Sequence, residues 1–464
     1  MAFGFFKRSE KVDSIFFNGS IHLMDSNSNL AESIACKDGK IFAIGDYDDM
    51  SNLIGEETEQ IDLSGKHLYP GFIDVHSSPV MRAFEGMYLD LSGCQTTQEI
   101  LDSVSQWALC HPDCEMVFGY GYTESLKPND EENESLDFLP SSSVLSQACP
   151  DLPVVLLCQS TVSLWVNEAA AEIIATTSEE EMVPVITVPY VLNLFIPFDF
   201  DALEEAVNHQ TLKMAEKGIT SVLNLGTPDY LEDIYQDALM GLYNESVLMQ
   251  KFYGSYLLNR PLNPKALLHR LMSRRTNCIE MGGLLNAETL YLYLNNQASP
   301  APFTQDSLDE ILEATSNRGF HIFIEATYYS DLLLAYNGLE HVRNKGFNNP
   351  FSIASPHTLS SDDESQLIYS SSAVLTWQTN LLDGESVLKN GASTEEFLEL
   401  YTRSASEILG KTGGSGTLAL GEAGDFAIFE EDVLRLDEDA FKNRKASMTV
   451  LNGHVVYDSM IHQD

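Results

Sequence analysis

Along the first 67 residues, short apolar runs alternate with polar turns at a spacing that predicts strands rather than helices. Ser14-Ile15-Phe16-Phe17 leads into Asn18-Gly19, a hairpin-type turn signal, and Ile21-His22-Leu23-Met24 follows. Ile34-Ala35-Cys36 precedes Lys37-Asp38-Gly39-Lys40, a second tight turn, and Ile41 to Gly45 completes the pattern. The C-terminal end is written the same way. Asp425 to Phe429 and Met448 to Leu451 are strand-like, and Asn452-Gly453 turns into His454-Val455-Val456-Tyr457. Neither set of strands can close a core alone, so the two ends are expected to build one β-domain together.

The middle reads differently. From about residue 69 to 412, short apolar strands alternate with helical segments, the pattern of a βα repeat and a parallel sheet. Strand candidates are Pro153 to Leu157, Thr220 to Leu223, Gln250 to Tyr253, Phe320 to Ile324 and Val374 to Trp377. Helical periodicity is clearest over Asp201 to Lys217, where Leu203, Ala206, Val207, Leu212 and Ala215 form an apolar stripe. A second helix is expected from Thr304 to Arg318, with Thr304 and Ser307 as caps and Gly319 at its stop. A third covers residues 394 to 410.

At 464 residues the chain exceeds the size at which one core stops growing, so at least two structural units are expected. Its charge narrows the partners. Only 26 Lys and Arg oppose 69 Asp and Glu, a formal net charge of -43. Such a surface repels phosphate, which argues against nucleic acid and anionic membranes as partners. Seven scattered cysteines fit a reducing compartment better than a disulfide framework. Cys110 and Cys114 bracket His111 with no second Cys or His pair nearby, so ordinary thiols are expected there rather than zinc. The opening MAFGFFKRSEK is too short an apolar run for a signal peptide, and no segment approaches the ~20 apolar residues of a membrane span. A cytoplasmic protein is the expectation.

Motifs at both ends carry a resemblance. The runs "NGSIHLMD", "AESIACKDGKIFAIGD" and "IDLSGKHLYPGFIDVH" resemble the opening of the metal-dependent amidohydrolases, and "GSGTLALGEAGDFAIFEEDVLRL" with "MTVLNGHVVYD" resembles their close. Between them "DLPVVLLCQSTVSLWVNEAA" and "KGITSVLNLG" are similar to family segments in the same order, and the N-substituted formamide deformylases look like the closest branch. The resemblance implies an α/β fold: a (β/α)8 TIM-type barrel, shortened near its last strand, plus a small β-sandwich. The sandwich would use residues 1–68 and 413–464, and the barrel 69–412 with an insertion around 83–200. It also implies chemistry at the C-terminal ends of the barrel strands. There one or two divalent metals, held by His and Asp, would activate water to hydrolyse an amide or cyclic amide C–N bond.

Position by position, most of the implied ligands are missing. The family's first strand ends in His-x-His; here His76 keeps the first and Ser78 replaces the second. The nearest match to the family's fourth-strand lysine or carboxylate, Thr276 to Gly283, has no lysine. A family strand ending in His is matched by Gly319 to Ala326, which places Glu325 there, and His321 is expected in the core. The next strand ends in Ser355, with His357 two residues on. Between Trp377 and residue 394 the family's proton-shuttling Asp has only a remote stand-in, Asp383. The "TVS" of 161–163 stands where this branch often carries a substrate-facing histidine.

The expectation is an amidohydrolase-like protein with a degenerate metal centre and without the two-metal mechanism. The alternative is an active hydrolase with a remodelled mononuclear or metal-free site. Both make His76, Glu325 and His357 the candidate catalytic residues, with His76 and Glu325 as ligands where a metal is bound. The cofactor is then either none or a single divalent metal such as zinc. The partner is a small-molecule ligand, and the resemblance implies a homodimer.

Overall fold

The computed structural model describes residues 10–25, 29–123, 141–158, 163–181, 186–195, 200–226, 232–278, 284–295, 303–326, 328–355, 373–375, 394–410 and 416–462. Residues 1–79, 210–227 and 242–464 form one compact unit, and 80–209 with 228–241 form a second. The first unit begins with β1 (Ser14–Phe17), β2 (Ser20–His22), β3 (Leu30–Ala31), β4 (Ser33–Lys37), β5 (Lys40–Gly45), β6 (Glu59–Asp62), β7 (His67–Pro70) and β8 (Phe72–Ser77). The second unit holds β9 (Leu89–Asp90), β10 (Val117–Tyr122), β11 (Val154–Cys158) and β12 (Leu164–Val166). The first resumes with β13 (Ile219–Asn224), β14 (Lys251–Leu258), β15 (Leu285–Leu294), β16 (His321–Ala326), β17 (Phe351–Ala354) and β18 (Ala373–Leu375). It ends with β19 (Phe426–Phe429), β20 (Met448–Leu451) and β21 (His454–Asp458).

The terminal strands make two sheets, ordered β5-β4-β1-β6 and β21-β20-β19-β7-β2-β3. Phe16, Ile34 and Ile41 of one share an apolar layer with Ile21, Leu68, Phe426, Ile428 and Val450 of the other. Both ends of the chain are needed because β7 is flanked by β2 on one side, in parallel, and by β19 on the other, antiparallel. Two of the three expected turns are hairpins. Asp38-Gly39 (φ 51° and 74°) and Asn452-Gly453 (52° and 81°) adopt the positive φ that matches strand twist. They join β4 to β5 and β20 to β21. Asn18-Gly19 instead sends β1 and β2 into different sheets. A Cβ on Gly19 would lie 2.6 Å from Leu63 Cδ1, so the glycine there serves close packing.

The βα repeat forms a parallel sheet ordered β18-β17-β16-β15-β14-β13-β8. It curls into an open, half-closed barrel of seven strands among the described residues, where the resemblance implied eight. The interval in which the shortened last strand was expected, 376–393, lies outside the described residues. The inner face packs Ile73, Val75, Leu223, Tyr253, Tyr291 and Phe323. The outer face buries Leu290, Leu292, Ile322 and Ile324 against the helices Gln305–Ser316 and Tyr329–Asn344. Thr304 caps the first of these, accepting Ser307 N–H at 3.2 Å, and Gly319 (φ 78°) follows its end. The expected helix over 394–410 is Thr394–Glu399 and Ala405–Ile408 joined by a π turn, with Ala405 and Ile408 in the inner core.

A buried ion pair ties the parallel sheet to the terminal one. Lys251 Nζ, at the start of β14, donates to Asp425 Oδ2 at 2.5 Å, and Asp425 Oδ1 accepts Asn452 N–H at 2.9 Å. The second unit has its own sheet, β12-β11-β10-β9, and its own core around Leu91, Ile100, Val104, Leu145 and Trp165. Asn167, fully buried, caps the helix Glu168–Glu180 and donates to the carbonyls of Cys149 and Leu152. All seven cysteines are free thiols, and His111 stacks on Trp107 at 4.0 Å. Among the described residues no helix is long and apolar enough to cross a membrane.

Candidate functional site

His76 reaches the end of β8 through an irregularity in the strand. Val222 pairs with Asp74 and Asn224 with Ser77, so β8 carries one residue more than β13 over this interval. Such a bulge re-aims side chains at a strand end. The Asp74 carboxylate, buried, accepts the His76 backbone N–H at 3.1 Å across the bulge. The ring then lies parallel to Phe323, with centroids 6.1 Å apart.

The structure brings His76 and Glu325 together: Nε2 lies 3.5 Å from Glu325 Oε2, with side chains 29% and 30% exposed. The same oxygen accepts the Tyr291 hydroxyl at 2.5 Å. Parallel pairing of β15 with β16 explains the Tyr291 contact, because Tyr291 lies opposite Phe323 in register and Glu325 follows two residues later on the same face. Burial pushes the Glu325 carboxyl up, but the hydrogen bond and charge of His76 and the Tyr291 hydroxyl outweigh it, leaving it below the usual carboxylate range. Burial, then Glu325's charge and hydrogen bond, drive the Tyr291 phenol well above its ordinary value. Tyr291 thus stays a neutral donor.

The other expected positions supply little. Ser78 donates its hydroxyl to the Leu225 carbonyl. Ser355 is buried just past β17. Thr276 and Asn277 are no strand end: they close the helix Pro264–Asn277, which Asn263 caps with Pro264 at its first position. His321 is half-buried at the start of β16 rather than a core residue, because the strand begins there. His357, Asp383, Thr161 and Val162 lie outside the described residues. His76 and Glu325 are two donors facing each other, and Ser78 adds a weak hydroxyl already committed to a carbonyl. Among the described residues this donor set does not fit the two-metal centre that the resemblance implies.

One group of three metal-ligating side chains does occur among the described residues, on the terminal sheet. His22, His67 and Asp432 each offer an atom, and these atoms lie within 4.8 Å of one another, an arrangement compatible with a single divalent ion. Strand register creates it: Ser20 of β2 lies beside His67 of β7, which puts His22 beside Tyr69, and β19 delivers Asp432 three residues past Phe429. His22 and Tyr69 stack with centroids 4.2 Å apart, and the Tyr69 hydroxyl donates to Asp432 Oδ1 at 2.6 Å. Burial lowers the His22 pKa to about 4, against the pull of Asp432 and with the help of His67. Neither this trio nor Tyr291 was signalled by spacing in the sequence, since the three segments meet only through strand pairing.

A family model described as the amidohydrolase family matches residues 59–365 and 368–457. The exoenzymes regulatory protein AepA of Pectobacterium carotovorum is 25% identical over 174 residues, covering 37% of this chain and 36% of that protein. The N-substituted formamide deformylase of Arthrobacter pascens is 24% identical over 164 residues, covering 35% of this chain and 29% of the other. The chain thus spans about a third of the length of these curated relatives, and no one branch stands out. A metal-dependent hydrolase from Pyrococcus horikoshii OT3 shares the fold at a TM-score of 0.59, with 18% identity, covering 92% of this chain and 99% of that one.

Proposed function

The chain belongs to the amidohydrolase family, and from that premise we propose that it keeps the barrel mouth as a small-molecule site without the family's two-metal hydrolysis. One observation carries the reading. The candidate ligands His76 and Glu325 are engaged with each other at 3.5 Å, and Tyr291 holds the Glu325 oxygen at 2.5 Å. Glu325 orients the imidazole, Tyr291 fixes the carboxylate, and Phe323 walls one face of the ring. A polar ligand entering the mouth meets the paired His76 imidazole and Glu325 carboxylate.

A second reading is favoured by the depressed Glu325 carboxyl. A carboxylate that stays ionised beside an imidazole supports metal-free proton transfer by the His76–Glu325 pair. In this reading His357 is the third participant, and the substrates are compounds with a hydrolysable C–N bond, the N-substituted formamides among them.

The test uses chelator-treated full-length protein, wild type and H76Q, E325Q and H357Q, with a panel of N-substituted formamides, linear amides and cyclic amides. Hydrolysis is followed with and without added Zn²⁺, alongside ligand-induced thermal shifts. The first reading expects shifts that weaken in H76Q and E325Q, and no turnover. Zinc-independent turnover lost in H76Q and E325Q selects the second reading. Zinc-dependent turnover abolished by H76Q would overturn both.

A further inference from the structure

We propose that His22, His67 and Asp432 form a divalent-cation site of the zinc class on the terminal sheet, separate from the barrel mouth, which clips the two ends of the chain together. His22 Nε2 and His67 Nδ1 converge to 3.1 Å. Two nitrogens on one zinc at bond lengths of about 2.0–2.1 Å stand roughly 3.3 Å apart in tetrahedral geometry. The imidazole pair is therefore already spaced as neighbouring ligands, and the Asp432 carboxylate lies within 4.8 Å of both.

The surroundings resemble the outer shell of a metal site. The Tyr69 hydroxyl (2.6 Å) and the Leu434 N–H (3.1 Å) both hold Asp432 Oδ1, and neither engages Oδ2. Oδ2 now meets Arg435 Nε at 3.0 Å, but the Arg435 side chain is 85% exposed and free to swing into solvent. A cation entering the site displaces that guanidinium. Two imidazoles and one carboxylate suit zinc and its borderline neighbours rather than calcium or magnesium, which demand more oxygen ligands. The three ligands come from β2, β7 and the turn after β19, so a bound ion closes a long loop and favours the folded chain.

The experiment is equilibrium dialysis of chelator-treated, tag-free full-length chain against ZnCl2, with bound zinc counted by elemental analysis and thermal unfolding followed in parallel. Wild type is expected to take up one zinc per chain with a rise in Tm. H67Q, at a half-buried position, should lose that zinc, and D432N should weaken it while the Asn keeps the cap on Leu434. Y69F should weaken binding by about tenfold or more, as removal of an outer-shell partner does. R435Q should tighten binding, because it removes the competing cation. H76Q and E325Q should leave this zinc in place, which separates the proposal from any reading of the barrel mouth. No zinc uptake by wild type or R435Q would overturn it, and so would zinc that survives in H67Q and D432N but disappears in H76Q or E325Q.

Discussion

Replacing Lys251 by Met removes the ammonium that neutralises Asp425 at the junction of the parallel and terminal sheets. The Asp425 side chain is 0% exposed and that of Lys251 only 10%, so water cannot take over the lost interaction. The Asn452 N–H would still donate to Asp425 Oδ1. Breaking a buried pair from one side costs about 3–5 kcal/mol, because it leaves an uncompensated charge. At roughly 2 °C per kcal/mol for a large chain, the Tm should fall by about 6–10 °C. The double variant K251M/D425N removes both charges while Asn keeps an acceptor for Asn452, so most of the loss should return. The assay is urea unfolding of the wild type, K251M, D425N and the double variant, followed by circular dichroism. A K251M cost under about 1 kcal/mol, or a double variant less stable than K251M, would refute the reasoning, since paired burial predicts strong favourable coupling.

Burial raises the Glu422 carboxyl to about 7, against the Thr417 hydroxyl that holds it down. Its folded pKa exceeds its unfolded one, so stability should decline as pH rises from the ordinary carboxyl range through about 7, and E422Q should flatten that slope in unfolding midpoints. Glu325 has the opposite sign: its pKa is depressed, so its contribution should be present above the ordinary carboxyl range and fade as pH falls through the folded value, a limb that E325Q removes. At Gly71, a Cβ would stand 2.1 Å from Thr220 Oγ1, so G71A should destabilise by about 1–3 kcal/mol, with partial recovery in G71A/T220A.

Much of the fold was legible because local rules and tertiary demands agree. Asp38-Gly39 and Asn452-Gly453 have the residues their turns require, and Thr304, Ser307 and Gly319 punctuate one helix as their side chains dictate. Asn18-Gly19 carried the same signal but not the same turn, because which sheet β2 joins is decided by β7, far along the chain. The meeting of His76 and Glu325 followed from matching strand ends to a known barrel pattern, whereas the bulge that aims His76 leaves no mark in the residue order. Tyr291 was hidden in an apolar strand, Leu285–Leu294, where a tyrosine reads as packing. His22, His67 and Asp432 come from strands whose register only the folded sheet defines.

The placement of β7 between β2 and β19 also sets a clock on biogenesis. Tyr69 and its partner Asp432 are separated by 363 positions. At synthesis rates of about 5–20 residues per second, β7 waits roughly 20–70 s for the strand that covers its second edge. During that interval a nascent chain bearing Leu68 and Tyr69 offers an apolar strand edge to whatever is nearby. The strand order thus leaves this edge uncovered until synthesis is nearly finished, and a chain ending before β19 should aggregate in light scattering rather than give a smaller folded product.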